Sequence, residues 1–249
     1  MSGDITRDHY ARLAPTYDEN WTYNSEFIQW MSARIQERLR VDASDLVADI
    51  GCGTGLFARE IARHARSVVC IDPSAQMLSE IPSQDKLIPL TGNAEDVAGG
   101  RAVLPFESFD ALLLKEVIHH VEDPAVVLNG LVRLLRPGGR ILIVMLPSRI
   151  SYPLFADALE LFTTLQPDPA DIADQLRGTG LQTDLSYDAF PLSFATERYL
   201  QMVRSRYMSL LSHFEDDQLE SGIAEIRASH PGERITFTDT FAFILGTAA

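Results

Sequence analysis

The apolar positions of this 249-residue chain alternate between two periods. Short continuous runs at Val47 to Ile50, Val68 to Ile71, Leu87 to Thr91, Asp110 to Leu114 and Ile141 to Leu146 read as strands. Unbroken runs of this length mark strands covered on both faces. Between them, helical spacing over Leu56 to Arg66 and over Asp123 to Leu135 predicts helices, the second stopped by Arg136-Pro137-Gly138-Gly139. Strand and helix alternate, which is the pattern of a parallel sheet with helices on both faces. Upstream, Phe27, Ile28, Met31, Ile35 and Leu39 have the spacing of a helix that packs on that sheet. Downstream of Pro147 the pattern predicts helices over Tyr152 to Leu165 and Asp171 to Arg177, then a strand over Gln182 to Ala189. Helices over Ala195 to Ser212 and Asp216 to Ala228 follow, and Arg234 to Gly246 alternates like a terminal strand or hairpin.

The first strand ends in Asp49-Ile50-Gly51-Cys52-Gly53-Thr54-Gly55, and a helix begins at Leu56. Glycine at every second position suits a loop whose backbone must approach a ligand and adopt positive φ. A dinucleotide fingerprint would need glycine at position 56, where the chain has Leu, which disfavours a nucleotide-type oxidoreductase. The second strand ends at Asp72-Pro73, with Asp72 lying 19 residues beyond Gly53. That is near the offset at which a strand-end carboxylate meets a ribose diol, although Asp72 also suits the cap of a helix starting near Ser74. The third strand leads to Gly92-Asn93-Ala94-Glu95. The fourth leads to Lys115-Glu116-Val117-Ile118-His119-His120, polar groups at the edge of the sheet where open α/β folds bind ligands.

The order and spacing of these stretches resemble the class I S-adenosylmethionine-dependent methyltransferases of the small-molecule type, from Tyr10 to about Pro147. The resemblance implies a Rossmann-like, mostly parallel seven-stranded sheet with an antiparallel last strand and a small helical cap. It implies one domain over residues 1–249, divided into an N-terminal helical lid at 1–40, a cofactor-binding core at 44–147 and a cap insertion at 190–232. Within it, Gly51, Cys52, Gly53 and Gly55 wrap the methionine end of S-adenosyl-L-methionine, and Asp49 helps hold its ammonium. Asp72 and Pro73 meet the ribose, Met77 flanks the adenine, and Asn93 stands where the family has an adenine-binding acid, beside Ala94 and Glu95. An amide oxygen accepts the same hydrogen bond without a charge, while Asn93 also suits a plain turn.

Tyr10 to Asp18 resembles the family's leader, so Tyr17 is a cofactor contact and residues 1 to about 24 are expected to close over the site, with plain aromatic packing as the alternative. Lys115, implied as a further cofactor contact, followed by His119 resembles the stretch of phenol O-methyltransferases in which that histidine is the general base. Glu116, His119 and His120 also resemble, with His119 replacing a glutamate, the metal-holding stretch of ubiquinone-pathway O-methyltransferases. Imidazole in that place suits magnesium less well, which favours the base. The function implied is O-methylation of a small molecule with His119 as base. N- or C-methylation, a metal-assisted reaction and a non-catalytic cofactor binder stand as alternatives.

Composition narrows the partners. A net charge of −14 repels nucleic acid, and 46% hydrophobic content suffices for a core. No apolar run is long enough to span a bilayer, and the start has no basic-then-apolar block, so a cytoplasmic protein acting on a small molecule is expected. Cys52 and Cys70 give neither a disulfide framework nor a zinc set. Phe190, Phe194, Tyr199, Tyr207 and Phe214 fit an apolar acceptor pocket or the core equally well.

Overall fold

Five continuous apolar runs become parallel strands in the computed structural model, which describes residues 25–249. These are β1 (Leu46–Ile50), β2 (Ser67–Asp72), β3 (Leu87–Thr91), β4 (Phe109–Lys115) and β5 (Leu135–Met145). With β6 (Gln182–Ala195) and β7 (Arg234–Thr247) they form one seven-stranded sheet in the order β3-β2-β1-β4-β5-β7-β6. Strand β7 runs antiparallel to both β5 and β6, against the direction of the other six strands. The expected leader, including Tyr10, Tyr17 and Trp21, lies outside the described residues.

Each face of the sheet carries its own core. One is covered by α1 (Ser25–Leu39), α2 (Leu56–Ala62) and the C-terminal helices α6 (Ala156–Leu165), α8 (Thr196–Arg204) and α9 (Asp216–Ser229). The other is covered by α4 (Ala94–Ala98), α5 (Pro124–Val132) and α7 (Pro169–Gly178). The short α3 (Ala75–Ser79) follows β2. Helix α1 buries Phe27, Met31, Ile35 and Leu39, and at ~1.5–3 kcal/mol for each buried apolar side chain that face is enough to dock it. Arg38 adds a cation–π contact, 4.0 Å above the Phe243 ring, and reaches Asp188 at 2.6 Å. Among the described residues no helix is long and apolar enough to cross a membrane.

Two elements differ from the sequence expectation. Helix α5 stops at Val132 because Leu135 already pairs with Phe109, so the Pro137-Gly138-Gly139 turn lies inside β5 rather than ahead of it. Strand β6 continues to Ala195, through a stretch read as part of the cap. Phe190, Leu192 and Phe194 keep the two-residue period, and Pro191 is tolerated because β6 is an edge strand. The resulting β6–β7 pair runs past the carboxyl ends of the parallel strands. Phe194, Tyr199 and Tyr207 are buried in its core, where the two tyrosine hydroxyls lie 3.1 Å apart, while Phe190 and Phe214 are half-buried.

Candidate active site

The two-residue period of the strands collects the polar candidates. Val47 on β1, Val68 and Cys70 on β2, and Ala111 and Leu113 on β4 all belong to the core on the α1 face. Continuing that alternation to the strand ends puts Asp49, Asp72 and Lys115 on the same face, at the carboxyl edge. Gly51, Gly53 and Gly55 follow Asp49 with φ of 75°, 56° and 74°, a region that L side chains rarely adopt. The turn is tied to β2, since the N–H groups of Gly51 and Cys52 donate to the Ile71 carbonyl at 2.7 and 3.0 Å. A Cβ added to Gly51 would lie 2.2 Å from Cγ2 of Val117, so the glycine turn and the loop after β4 are in contact.

Asp72 is 9% exposed and holds both sides of the crevice. One carboxylate oxygen accepts the Gly53 N–H at 2.9 Å and the other the Ser74 N–H at 2.8 Å. Burial raises its carboxyl above the ordinary range, against the pull of those two N–H groups. Ser74, rather than Asp72, caps α3 by accepting the Met77 N–H at 3.2 Å, and Met77 is buried while Pro73 is exposed. Asn93 accepts the Asp96 N–H at 2.7 Å as the cap of α4, with Ala94 buried behind it and Glu95 half-buried. The Cys52 thiol is pushed well up by its hydrogen bond with Cys70 and by burial.

Asp49 is 3% exposed and pushed up to about 7, by burial first and the Asp72 charge second, with Lys115 opposing. Glu116, at a strained φ of 55°, is likewise pushed up to about 7 by burial, against Lys115 and the Leu146 N–H. Burial lowers Lys115, while Glu116, Asp239 and Asp49 pull it back. His119 sits on a single 3₁₀ turn, Ile118–His120, its ring 4.0 Å from that of the more exposed His120. Its Nδ1 is buried without a hydrogen-bond partner. The ring is held well below the ordinary histidine range by burial, and then by His120 and Lys115. Ile118, His119, Val121, Thr164, Leu165 and Gln166 line a hollow there.

Among the described residues no group of three or more His, Cys, Asp and Glu side chains is disposed to hold a metal ion, so Glu116, His119 and His120 do not form such a set. Asp239 and Tyr152 belong to this end of the sheet and were missed in the sequence. Asp239, 0% exposed, accepts the Tyr152 hydroxyl at 2.7 Å. The available signal was a carboxylate on the strand face that otherwise carries Ile235, Phe237, Phe241 and Phe243.

Known proteins share this fold. The family model of a methyltransferase domain matches residues 48–143. A ubiquinone biosynthesis O-methyltransferase of Xanthomonas axonopodis pv. citri is 28% identical over 173 residues, covering 63% of this chain and 69% of that protein. The YcgJ protein of Bacillus subtilis shares the fold with a TM-score of 0.62 at 17% identity, covering 90% of this chain and 99% of its own. Phosphoethanolamine N-methyltransferase 2 of Haemonchus contortus, solved with S-adenosyl-L-methionine, has a TM-score of 0.61 at 18% identity, covering 98% of this chain and 60% of its own. The matched domain spans the glycine turn, Asp72 and the loop after β4, and the chain carries a class I S-adenosylmethionine-dependent methyltransferase domain.

Proposed function

We propose that the protein methylates a small molecule on oxygen, with S-adenosyl-L-methionine held across the glycine turn. The residues present fit that donor. Three positive-φ glycines leave a backbone cradle without side chains, and Gly51 has no room for one. Asp49 suits an ammonium and Asp72 a ribose diol, with Met77, Asn93, Ala94 and Glu95 towards the adenine. When bound, the donor supplies an activated methyl group, so the chain has to align the acceptor, exclude water and deal with its proton.

The observation that carries the reading is the contact of Gly51 with Val117, because it sets the donor cradle against the half-buried polar loop 115–120. In that loop His119 stays neutral over the working range, and its Nδ1 can partner the acceptor's hydroxyl. A ring so depressed holds a proton poorly, so its contribution as a base is weaker than an ordinary histidine would give. Residues 44–147 serve as the donor core, and the helical stretch 196–232 contributes the cap over the acceptor. The Xanthomonas relative, named for ubiquinone biosynthesis, makes hydroxylated aromatic rings the first acceptors to try.

The test is incubation with methyl-labelled S-adenosylmethionine and a panel of phenols, catechols and amines. Label in an O-methyl ether is expected, with His119→Ala losing tenfold or more in transfer while donor affinity holds. Label on nitrogen or carbon instead overturns the choice of oxygen. Donor binding with no transfer to any acceptor, metabolite extract included, makes the protein a cofactor binder and not a small-molecule O-methyltransferase.

A further inference from the structure

We propose that Lys115 takes the acceptor's proton. This rests on the reading that a hydroxyl is methylated in front of the glycine turn. Of the 21 Lys and Arg residues in the chain, only Lys86 and Lys115 are lysines. Lys86 has a structural task, donating from Nζ to the carbonyls of Ala62 and Ala65 at 3.1 and 2.8 Å and closing the end of α2. Elsewhere the chain uses arginine, which cannot give up its proton, whereas a buried lysine can. The one lysine without such a task stands at the end of β4, in register with Val144.

Its position joins donor and acceptor. Nζ lies 5.1 Å from the centre of the Phe57 ring and 5.7 Å from that of Phe241. Phe57 is in the first turn of α2, directly after the glycine turn, and Phe241 belongs to β7, whose outer half carries the cap. The nitrogen therefore stands between the cradle and the cap, on the sheet face that also presents Asp49 and Asp72.

The surroundings suit an amine that cycles between charge states. Three carboxyl groups act on its charge: Glu116 in the loop after β4, Asp239 on β7 and Asp49 on β1, with Asp239 held by the Tyr152 hydroxyl at 2.7 Å. Asp72 acts on Asp49, and the neutral rings of His119 and His120 complete the titratable groups around the loop. Burial outweighs the carboxylates, so Lys115 releases its proton more readily than free lysine. A positive charge held by Asp49 would offset part of that carboxylate's pull and favour the neutral amine before the acceptor reacts. When the proton returns, the three carboxylates and two ring faces stabilise the ammonium.

The step balances. The acceptor's O–H bond breaks and its proton passes to Nζ; the oxygen pair forms the O–C bond; the donor's S–C bond breaks with its electron pair going to sulfur. One positive charge moves from sulfur to nitrogen, and the total charge of the site is unchanged.

Protein labelled with ¹³C at lysine Cε gives one signal from each lysine, with Lys86 as internal control. The Lys115 signal should titrate at lower pH than free lysine, and lower still with S-adenosylmethionine added. Lys115→Met and Lys115→Arg should keep donor binding by calorimetry and lose about 10²–10⁴-fold in methyl transfer. Lys115→Ala should recover in proportion to the free base of added ethylamine, which a purely structural role would not produce. A Lys115 signal that titrates at or above free lysine, or is unmoved by S-adenosylmethionine, overturns the proposal; so does a Lys115→Met enzyme within threefold of wild type. If wild type does not bind S-adenosylmethionine, the methyl-transfer reading fails and takes this one with it; binding without the Lys115 shift sinks this one alone.

Discussion

Replacing Asp72 by alanine should damage stability and donor binding together, by amounts that the geometry sets. Its two oxygens accept the N–H groups of Gly53 and Ser74 at 2.9 and 2.8 Å. Hydrogen bonds to a charged acceptor contribute ~1.5–3 kcal/mol each. Burial more than offsets their pull on the charge, so the cost of alanine comes from leaving the two N–H groups without their acceptor, about 2–4 kcal/mol in all. For a chain of this size that corresponds to roughly 5–12 °C in melting temperature. The donor should lose more than the ribose contacts, because the Gly53 anchor of the cradle goes with the side chain. An affinity loss of tenfold or more, at least ~1.4 kcal/mol, is expected by calorimetry. Asp72→Asn separates the two effects: one amide oxygen keeps one N–H bond and spares much of the stability, but cannot also serve a diol, so affinity still falls about tenfold. An Asp72→Ala protein that melts and binds S-adenosylmethionine like wild type would rule out this role for Asp72.

Other perturbations follow the same logic. Gly51→Ala should lower the melting temperature and abolish donor binding, since its Cβ would meet Val117 at 2.2 Å and its φ of 75° is costly for alanine; adding Val117→Ala should recover part of the stability, and a double variant no better than the single one would count against the contact. Donor affinity should rise by up to tenfold per pH unit below about 7 and level off above it, because Asp49 must ionise to hold an ammonium; a profile in Asp49→Asn as steep as in wild type would contradict this. On the donor-free protein the same group acts in the opposite sense. Its folded pKa is raised, so its stability contribution is full below the unfolded value near ~4 and is lost as pH rises through about 7; melts at pH 5 and 8, compared with Asp49→Asn, measure that loss.

The sheet and the glycine turn were legible because both are local signals. Continuous apolar runs, three alternating glycines and the 19-residue offset of Asp72 need no knowledge of distant pairing. Asp239 was not legible in that way, since one carboxylate in an alternating aromatic strand reads as noise until β7 is seen to run past the sheet edge beside β6. Pro191 broke a strand pattern that only an edge position could restore. The basicity of His119 depends on burial and on its neighbours, and the residue type alone suggests an ordinary histidine. Lys115 was visible as a family position, but its relation to Phe57 and Phe241 required three elements to be assembled.

The most direct test is a crystal structure with S-adenosylhomocysteine bound. The ribose diol is expected on the Asp72 carboxylate, the amino acid end in the turn formed by Gly51, Gly53 and Gly55, and the sulfur facing Lys115 and His119. A nucleoside bound away from Asp72, or a sulfur pointing away from the 115–120 loop, would contradict this placement.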